Sequence, residues 1–289
     1  MKHPRLLPGL EQVVSTEMAC ASGPRIGQGL QPFLRWSGGK RRSLPRLLAL
    51  RPDRYEAYHE PFVGGGCMFF ALGAKKAFLT DINPQVARTY TAIKYDPIGV
   101  AQLLSTIPHD RGAFDRLRQL DPECCTDAEA AARLIFLMKA CFNGVYRENN
   151  RRQFNTPWGG KVYRLPDMAS LIAVQNRLAS VDISNCDFEE VVEKTERDDF
   201  VYLDPPYPQT RYRGEFGVRF LEQDVERLIG VCEGLDRKGA KVMISYVTDT
   251  KLFSALKHWR TIEVHSNRSV ASRCQFRGIA RERVFLNYD

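Results

Sequence analysis

Seven short runs of strand-forming residues punctuate this chain: Tyr58–Val63, Ala77–Asp81, Val181–Asn185, Phe200–Asp204, Lys241–Tyr246, Thr261–His265 and Arg283–Asn287. Helical patterning fills most of the intervals, and this alternation predicts an α/β fold, a mainly parallel sheet covered by helices. The final runs follow one another more closely, which predicts an antiparallel pair at the end of the sheet. Residues 82–180 separate the second run from the third, too long a stretch for a simple crossover, so a mostly helical insertion is expected there. The division is then a loosely ordered leader over 1–31, a sheet-bearing domain over 32–95 and 165–289, and an insertion over 96–164. Inside the insertion, Thr126-Asp127-Ala128-Glu129 has the spacing of a capping box ahead of the apolar run Leu134–Cys141, with Asn143-Gly144 as the expected stop.

The net charge of +8 and pI of about 9.1 favour a polyanionic partner. Much of that charge is local. From Arg133 to Arg164 there are seven basic residues against the single acid Glu148, a balance of +6. Tyr146, Phe154, Trp158 and Tyr163 are interleaved with these charges, and asparagines at 143, 149, 150 and 155 supply amides suited to reading bases. A plain solvated face needs neither, so this stretch is expected to contact nucleic acid. The eight cysteines contain no C-x-x-C pair, and the five histidines are scattered. That pattern predicts no metal centre and no disulfide framework, and it suits a reducing cytoplasm. No run approaches the ~18 apolar residues of a membrane span.

Four stretches carry chemistry. Glu60-Pro61-Phe62-Val63-Gly64-Gly65-Gly66 ends a strand in glycines, which let a backbone turn sharply and approach a ligand. Leu79-Thr80-Asp81-Ile82-Asn83 ends the next strand in an acid able to hydrogen-bond ribose hydroxyls, although Asp81 or Asn83 could equally cap the helix opened by Pro84. Phe33-Leu34-Arg35-Trp36-Ser37-Gly38-Gly39-Lys40 resembles a phosphate loop but has Leu34 and Arg41 where that motif needs Gly and Ser or Thr; its lysine could instead meet a ligand's carboxylate or a phosphate. Phe200-Val201-Tyr202-Leu203-Asp204-Pro205-Pro206-Tyr207 ends a strand on a carboxylate followed by two residues without N–H groups. The resulting edge offers only acceptors, the Asp204 carboxylate and the Pro205 carbonyl, which suit the two hydrogens of an exocyclic amine, with Tyr207 as a stacking face.

In this order, these segments resemble the Dam-type, DPPY-containing DNA adenine N6-methyltransferases over about residues 32–289. The resemblance implies a Rossmann-like methyltransferase sheet with a DNA-recognition insertion, S-adenosylmethionine as cofactor, and double-stranded DNA as substrate. It puts Trp36, Lys40, Gly64, Gly66, Asp81, Asp187, Phe188 and Asp204 in the cofactor pocket, with Asp187 and Phe188 beside the cofactor's adenine. It makes Asp204, Pro205, Pro206 and Tyr207 catalytic. It assigns DNA contact to Arg35, Asn143, Arg147, Asn155 and Pro157, with Arg147 as the base-reading residue. Arg151, Arg152, Arg211 and Arg213 are expected to grip phosphates, and the enzyme to act as a cytoplasmic monomer on a flipped-out adenine. Departures are Arg35, where the family commonly has lysine, the second glycine of EPFVGGG, Gly65, and Ser272-Arg273-Cys274 near the C-terminus. Two rivals remain open: an amino methyltransferase acting on cytosine N4 or RNA, and a non-catalytic DNA-binding protein of the same fold. The family's commonest target is GATC, and the insertion is its variable part.

Overall fold

Each strand-forming run produces a strand. β1 (Tyr58–Glu60), β2 (Ala77–Asp81), β3 (Val181–Asn185), β4 (Phe200–Leu203), β5 (Lys241–Val247), β6 (Arg260–Asn267) and β7 (Ile279–Leu286) form one sheet in the order β3-β2-β1-β4-β5-β7-β6. The computed structural model describes residues 30–161, 164–206, 220–247, 250–267 and 279–289. The leader up to residue 29 and Tyr163, Tyr207, Arg211, Arg213 and the 272–274 triplet lie outside them. β3, β2, β1, β4 and β5 pair in parallel, and β7 runs antiparallel between β5 and β6. β1 is shorter than its apolar run, because Pro61 cannot donate to a ladder and the chain turns there.

Alternation along the strands divides the interior. Phe200 and Tyr202 join Tyr58 and Leu79 in one apolar cluster, while Val201 and Leu203 join Val242 and Ile244 in another. Successive strand residues face opposite sides of a sheet, so the sheet is apolar on both faces, as a sheet covered by helices on both sides requires. The second cluster is completed by α8 (Val191–Lys194), α9 (Glu222–Lys238) and α10 (Thr250–Ala255). Residues of α2 (Cys67–Leu72), α3 (Pro84–Tyr95), α4 (Pro97–Thr106), α5 (Arg111–Gln119), α6 (Asp127–Ala140) and α7 (Met168–Leu178) build the first, along with Leu47 of the short α1 (Leu44–Ala49).

The 96–164 segment therefore shares its core with the sheet. α6 carries Leu134, Ile135, Phe136, Leu137 and Met138 with no exposure at all, the mark of a helix surrounded by protein. Its start is the expected capping box: the Glu129 N–H donates to Thr126 Oγ1 at 3.3 Å, and the Thr126 N–H donates to Glu129 Oε2 at 2.9 Å. Its end is not at Asn143-Gly144. The helix stops at Ala140, Cys141 is extended, and Asn143 and Gly144 form a separate turn with φ of 59° and 65°. Arg133 is a second departure, since burial takes it out of the basic surface: its Nε donates to the Leu117 carbonyl at 2.7 Å.

Candidate functional site

β1 is flanked by β2 on one side and β4 on the other, so chain connections diverge between β1 and β4. Open α/β sheets bind ligands in the crevice outside the carboxyl ends of strands at such a point. Glu60 ends β1, Asp81 ends β2, and Asp204 directly follows β4. Two donors converge on one oxygen of Asp204. Lys40 Nζ lies 3.0 Å from Oδ1, and the Ser245 hydroxyl on β5 donates to the same atom at 3.1 Å. Tyr202, buried and with its hydroxyl pKa pushed up chiefly by that burial, stays protonated and bonds Ser245 Oγ at 3.1 Å. A relay Tyr202–Ser245–Asp204 thus sets the carboxylate's orientation from below. Pro205 is buried and Pro206 exposed.

The neighbouring carboxyls are held differently. Glu60 Oε2 accepts from the Tyr58 hydroxyl at 2.7 Å and from the Phe69 N–H at 3.1 Å. Burial, reinforced by the charges of Asp204 and Asp81, pushes its pKa up to about 8, so it is a neutral acid at neutral pH. Asp81 is pushed up to about 6 by burial, against the backbone N–H groups of Asn83 and Gly64, each 2.9 Å away. Asn83 is the cap of α3, its Oδ1 accepting from the Gln85 N–H at 3.0 Å. With Glu60 neutral, the two carboxylates Asp81 and Asp204 outweigh the one lysine, so the site favours a cationic ligand. That chemistry fits the sulfonium of S-adenosylmethionine, and the Asp81 oxygens retain lone pairs for a ribose.

The glycine turn is shaped first by protein contacts. Gly64 has φ +43°, and a Cβ there would lie 2.6 Å from Trp36 Cδ1; at Gly66, φ +64°, it would lie 2.5 Å from the Tyr90 hydroxyl. The Gly64 N–H is the one held by Asp81, so the turn, the tryptophan and the β2 acid form one unit. At the β3 end, Asp187 Oδ1 accepts from the Glu189 N–H at 3.0 Å, and Phe188 stacks on Phe62 with centroids 5.2 Å apart. Neither Ser245 nor Arg227, which bonds Asp187 at 2.6 Å, was singled out by sequence reasoning. A hydroxyl inside the apolar run Val242–Val247 was the available signal for Ser245. Arg227 gave none.

The basic loop has an interior of its own. Its aromatics are packed inward: Tyr146 stacks on Trp36 at 5.5 Å, Phe154 meets Tyr146 and Phe114 edge-on, and Trp158 packs on Phe114. They form the loop's own core and leave the polar residues outside. Arg151, Arg152, Asn155 and Pro157 are exposed, and Asn143 and Arg147 partly so. Arg147 Nη2 donates to the Asn155 carbonyl at 3.0 Å, folding the guanidinium onto the loop. Arg35 braces the α6 end, its Nη1 donating to the Lys139 carbonyl at 3.3 Å and its stem filling the space at Gly144. Phe142, half-exposed beside Asn143, is an outward aromatic that sequence reasoning passed over. Among the described residues, no His, Cys, Asp or Glu side chains gather into a metal-holding group, and no helix is long and apolar enough to cross a membrane.

Comparison with known proteins converges on one family. A family model described as D12 class N6 adenine-specific DNA methyltransferase matches residues 36–270. Type II methyltransferase M1.LlaDCHI of Lactococcus lactis subsp. cremoris is 31% identical over 274 residues, which span 90% of this chain and 96% of that one. Type II methyltransferase M.MjaIII of Methanocaldococcus jannaschii is 31% identical over 253 residues, 78% of this chain and 88% of its own. The DNA adenine methylase of Haemophilus influenzae is 28% identical over 227 residues, 74% and 79% of the two chains.

Proposed function

The chain belongs to the D12 class of N6 adenine-specific DNA methyltransferases, and from that membership we propose that Asp204, Pro205, Pro206 and Tyr207 receive an adenine turned out of duplex DNA, beside S-adenosylmethionine bound along the β1–β2–β3 edge. The observation that carries this reading is the fixed carboxylate of Asp204 at the divergence of β1 and β4, held through Oδ1 by Lys40 and Ser245. S-adenosylmethionine supplies a methyl group already activated on a sulfonium. The protein's part is positional and electrostatic. Asp204 and the Pro205 carbonyl accept the two N6 hydrogens and so aim the nitrogen lone pair outward. Forming the N6–methyl bond would break the methyl–sulfur bond and leave S-adenosylhomocysteine, and Asp204 would stabilise the cationic N6 until one of its hydrogens leaves to solvent as a proton. Asp81 accepts from the ribose hydroxyls, Asp187 and Phe188 frame the cofactor's adenine, Gly64 and Gly66 form the loop at its methionine portion, and Trp36 walls that turn. Glu60, kept neutral, supports the site without adding a third full negative charge.

On the DNA side, Arg151 and Arg152, with Arg211 and Arg213, grip phosphates; Arg147, Asn143, Asn155 and Pro157 read or frame the bases, and Arg35 holds the loop to the site. An exposed aromatic in such a loop suits insertion between base steps, and Phe142 fills that role. The insertion, the family's variable part, sets which sequence is methylated. Transfer of labelled methyl groups to DNA, followed by nucleoside analysis, tests the chemistry: N6-methyladenine is expected. Failure to methylate any DNA at low salt would overturn the reading. Mapping methylated positions in DNA from cells expressing the protein tests the site.

A further inference from the structure

Arg227, on α9, gathers three carboxylates. Its Nη2 lies 2.6 Å from Asp187 Oδ1 and 2.8 Å from Glu189 Oε2, and its Nη1 lies 3.0 Å from Asp224 Oδ1. The centre of the guanidinium sits 4.7 Å from the centroid of the Phe188 ring. Asp187 and Phe188 are the pair that frames the cofactor's adenine in the function proposed above. We propose that Arg227 is the positioning residue of that nucleoside pocket, locking both members of the pair in the geometry that receives the cofactor; the assignment rests on the pocket reading and deepens it.

The chemistry needs an arginine. A planar guanidinium offers several donors in fixed directions and a flat face for an aromatic ring, whereas an ammonium offers a point charge with neither. The contacts use both properties on adjacent residues: the edge orients the Asp187 carboxylate, and the face lies over Phe188. Phe188 is thereby flanked by Phe62 and Arg227. Asp187 Oδ1 is fixed from two directions, by Arg227 and by the Glu189 N–H. A staple between α9 and the sheet would need a single carboxylate. Removing the guanidinium instead leaves Asp187, Glu189 and Asp224 to repel one another around Phe188. Asp224 also accepts from the Leu221 N–H at 2.7 Å, which ties the network to the first turn of α9.

The test measures binding apart from turnover. S-adenosylhomocysteine and adenosine are titrated calorimetrically into the full chain and into Arg227→Met and Arg227→Lys, with melting temperature and steady-state kinetics recorded alongside. Loss of charge-assisted bonds of this kind predicts about tenfold weaker binding of both ligands to Arg227→Met, because the defect lies at the nucleoside end they share. KM for the methyl donor rises in parallel, kcat at saturating donor stays within about twofold, and Arg227→Lys recovers part of the loss. Unchanged affinity for both ligands in a folded Arg227→Met would overturn the assignment and leave Arg227 as a staple for α9. Should that variant fail to fold, Glu189→Gln, which keeps the cation and removes one partner, carries the same readout: weaker adenosine binding supports the assignment, and unaltered binding refutes it. A wild-type chain that binds neither ligand would overturn the pocket reading itself.

Discussion

Asp204 is oriented by groups that never touch the substrate in the proposed mechanism, and this separates two kinds of loss. Asp204→Ala removes the acceptor: turnover is expected to vanish while DNA affinity, measured by fluorescence anisotropy, stays largely intact. Equal loss of both would mean that the acid is structural. Ser245→Ala removes one donor to a charged group, worth about 1.5–3 kcal/mol, and is expected to lower kcat at least about tenfold without changing DNA affinity. An unaltered kcat would show that Lys40 alone suffices to fix Oδ1. Both residues lie in apolar strand contexts, yet only Asp204 stood out in the sequence, because its two following prolines have no other easy explanation. Ser245 becomes functional only through the 3.1 Å contact that adjacent strands create.

Turns and loops here are defined by what lies against them. The glycine turn accommodates Trp36, so Gly64→Ala would place a methyl group against that ring in a left-handed backbone region. The expected result is a raised KM for the methyl donor with little change in DNA affinity, and a normal KM would free the turn from that constraint. The basic loop packs Tyr146, Phe154 and Trp158 inward and leaves Arg151 and Arg152 exposed, which assigns packing to the three aromatics and electrostatics to the two arginines. Arg151→Ala should therefore weaken binding to all sequences alike and lower the salt slope of log K by about one. An unchanged slope would remove Arg151 from the interface. Tyr146, Phe154 and Trp158, which the sequence interleaves with charges, supply the interior on which the loop folds.

Across the fold, stability carries the signature of the site. Glu60 has a folded pKa of about 8, against an unfolded value near 4.5, and Asp81 one of about 6 against 3.8. For a carboxyl raised by folding, the stabilising contribution is complete below the unfolded pKa and disappears as pH climbs through the folded one. These two groups therefore make the protein lose stability between about pH 4 and pH 8. Glu60→Gln keeps the acceptor for Tyr58 and Phe69 but removes the ionisation. Its melting temperature is expected to exceed that of the wild type at pH 9 and to match it at about pH 4 and below. Parallel curves at all pH values would show that Glu60 ionises normally. His59 acts at the acid end: buried beside Asp199, it has its pKa lowered chiefly by desolvation, so protonation below its ordinary range destabilises the fold.

Local patterning sufficed for the strands, a mainly parallel sheet with an antiparallel pair at its end, the Thr126 cap and the acids at the tips of β2 and β4. Each of these depends on neighbours in the chain: β propensity, a two-residue period, a side chain reaching three residues on. Residues 1–29 and Tyr207, Arg211 and Arg213 remain expectations of the sequence, outside the described structure. The contacts of Lys40 and Ser245 with Asp204, of Arg227 with Asp187 and Phe188, of Trp36 with Tyr146 and Gly64, and the burial of Arg133 were not legible. Each pairs segments far apart in the chain, and such pairings exist only after the sheet order brings β4 beside β5 and lays α9 against the turn after β3. Short-range preference writes the elements, while long-range packing chooses which oxygen meets which donor, and the chemistry resides in that second choice.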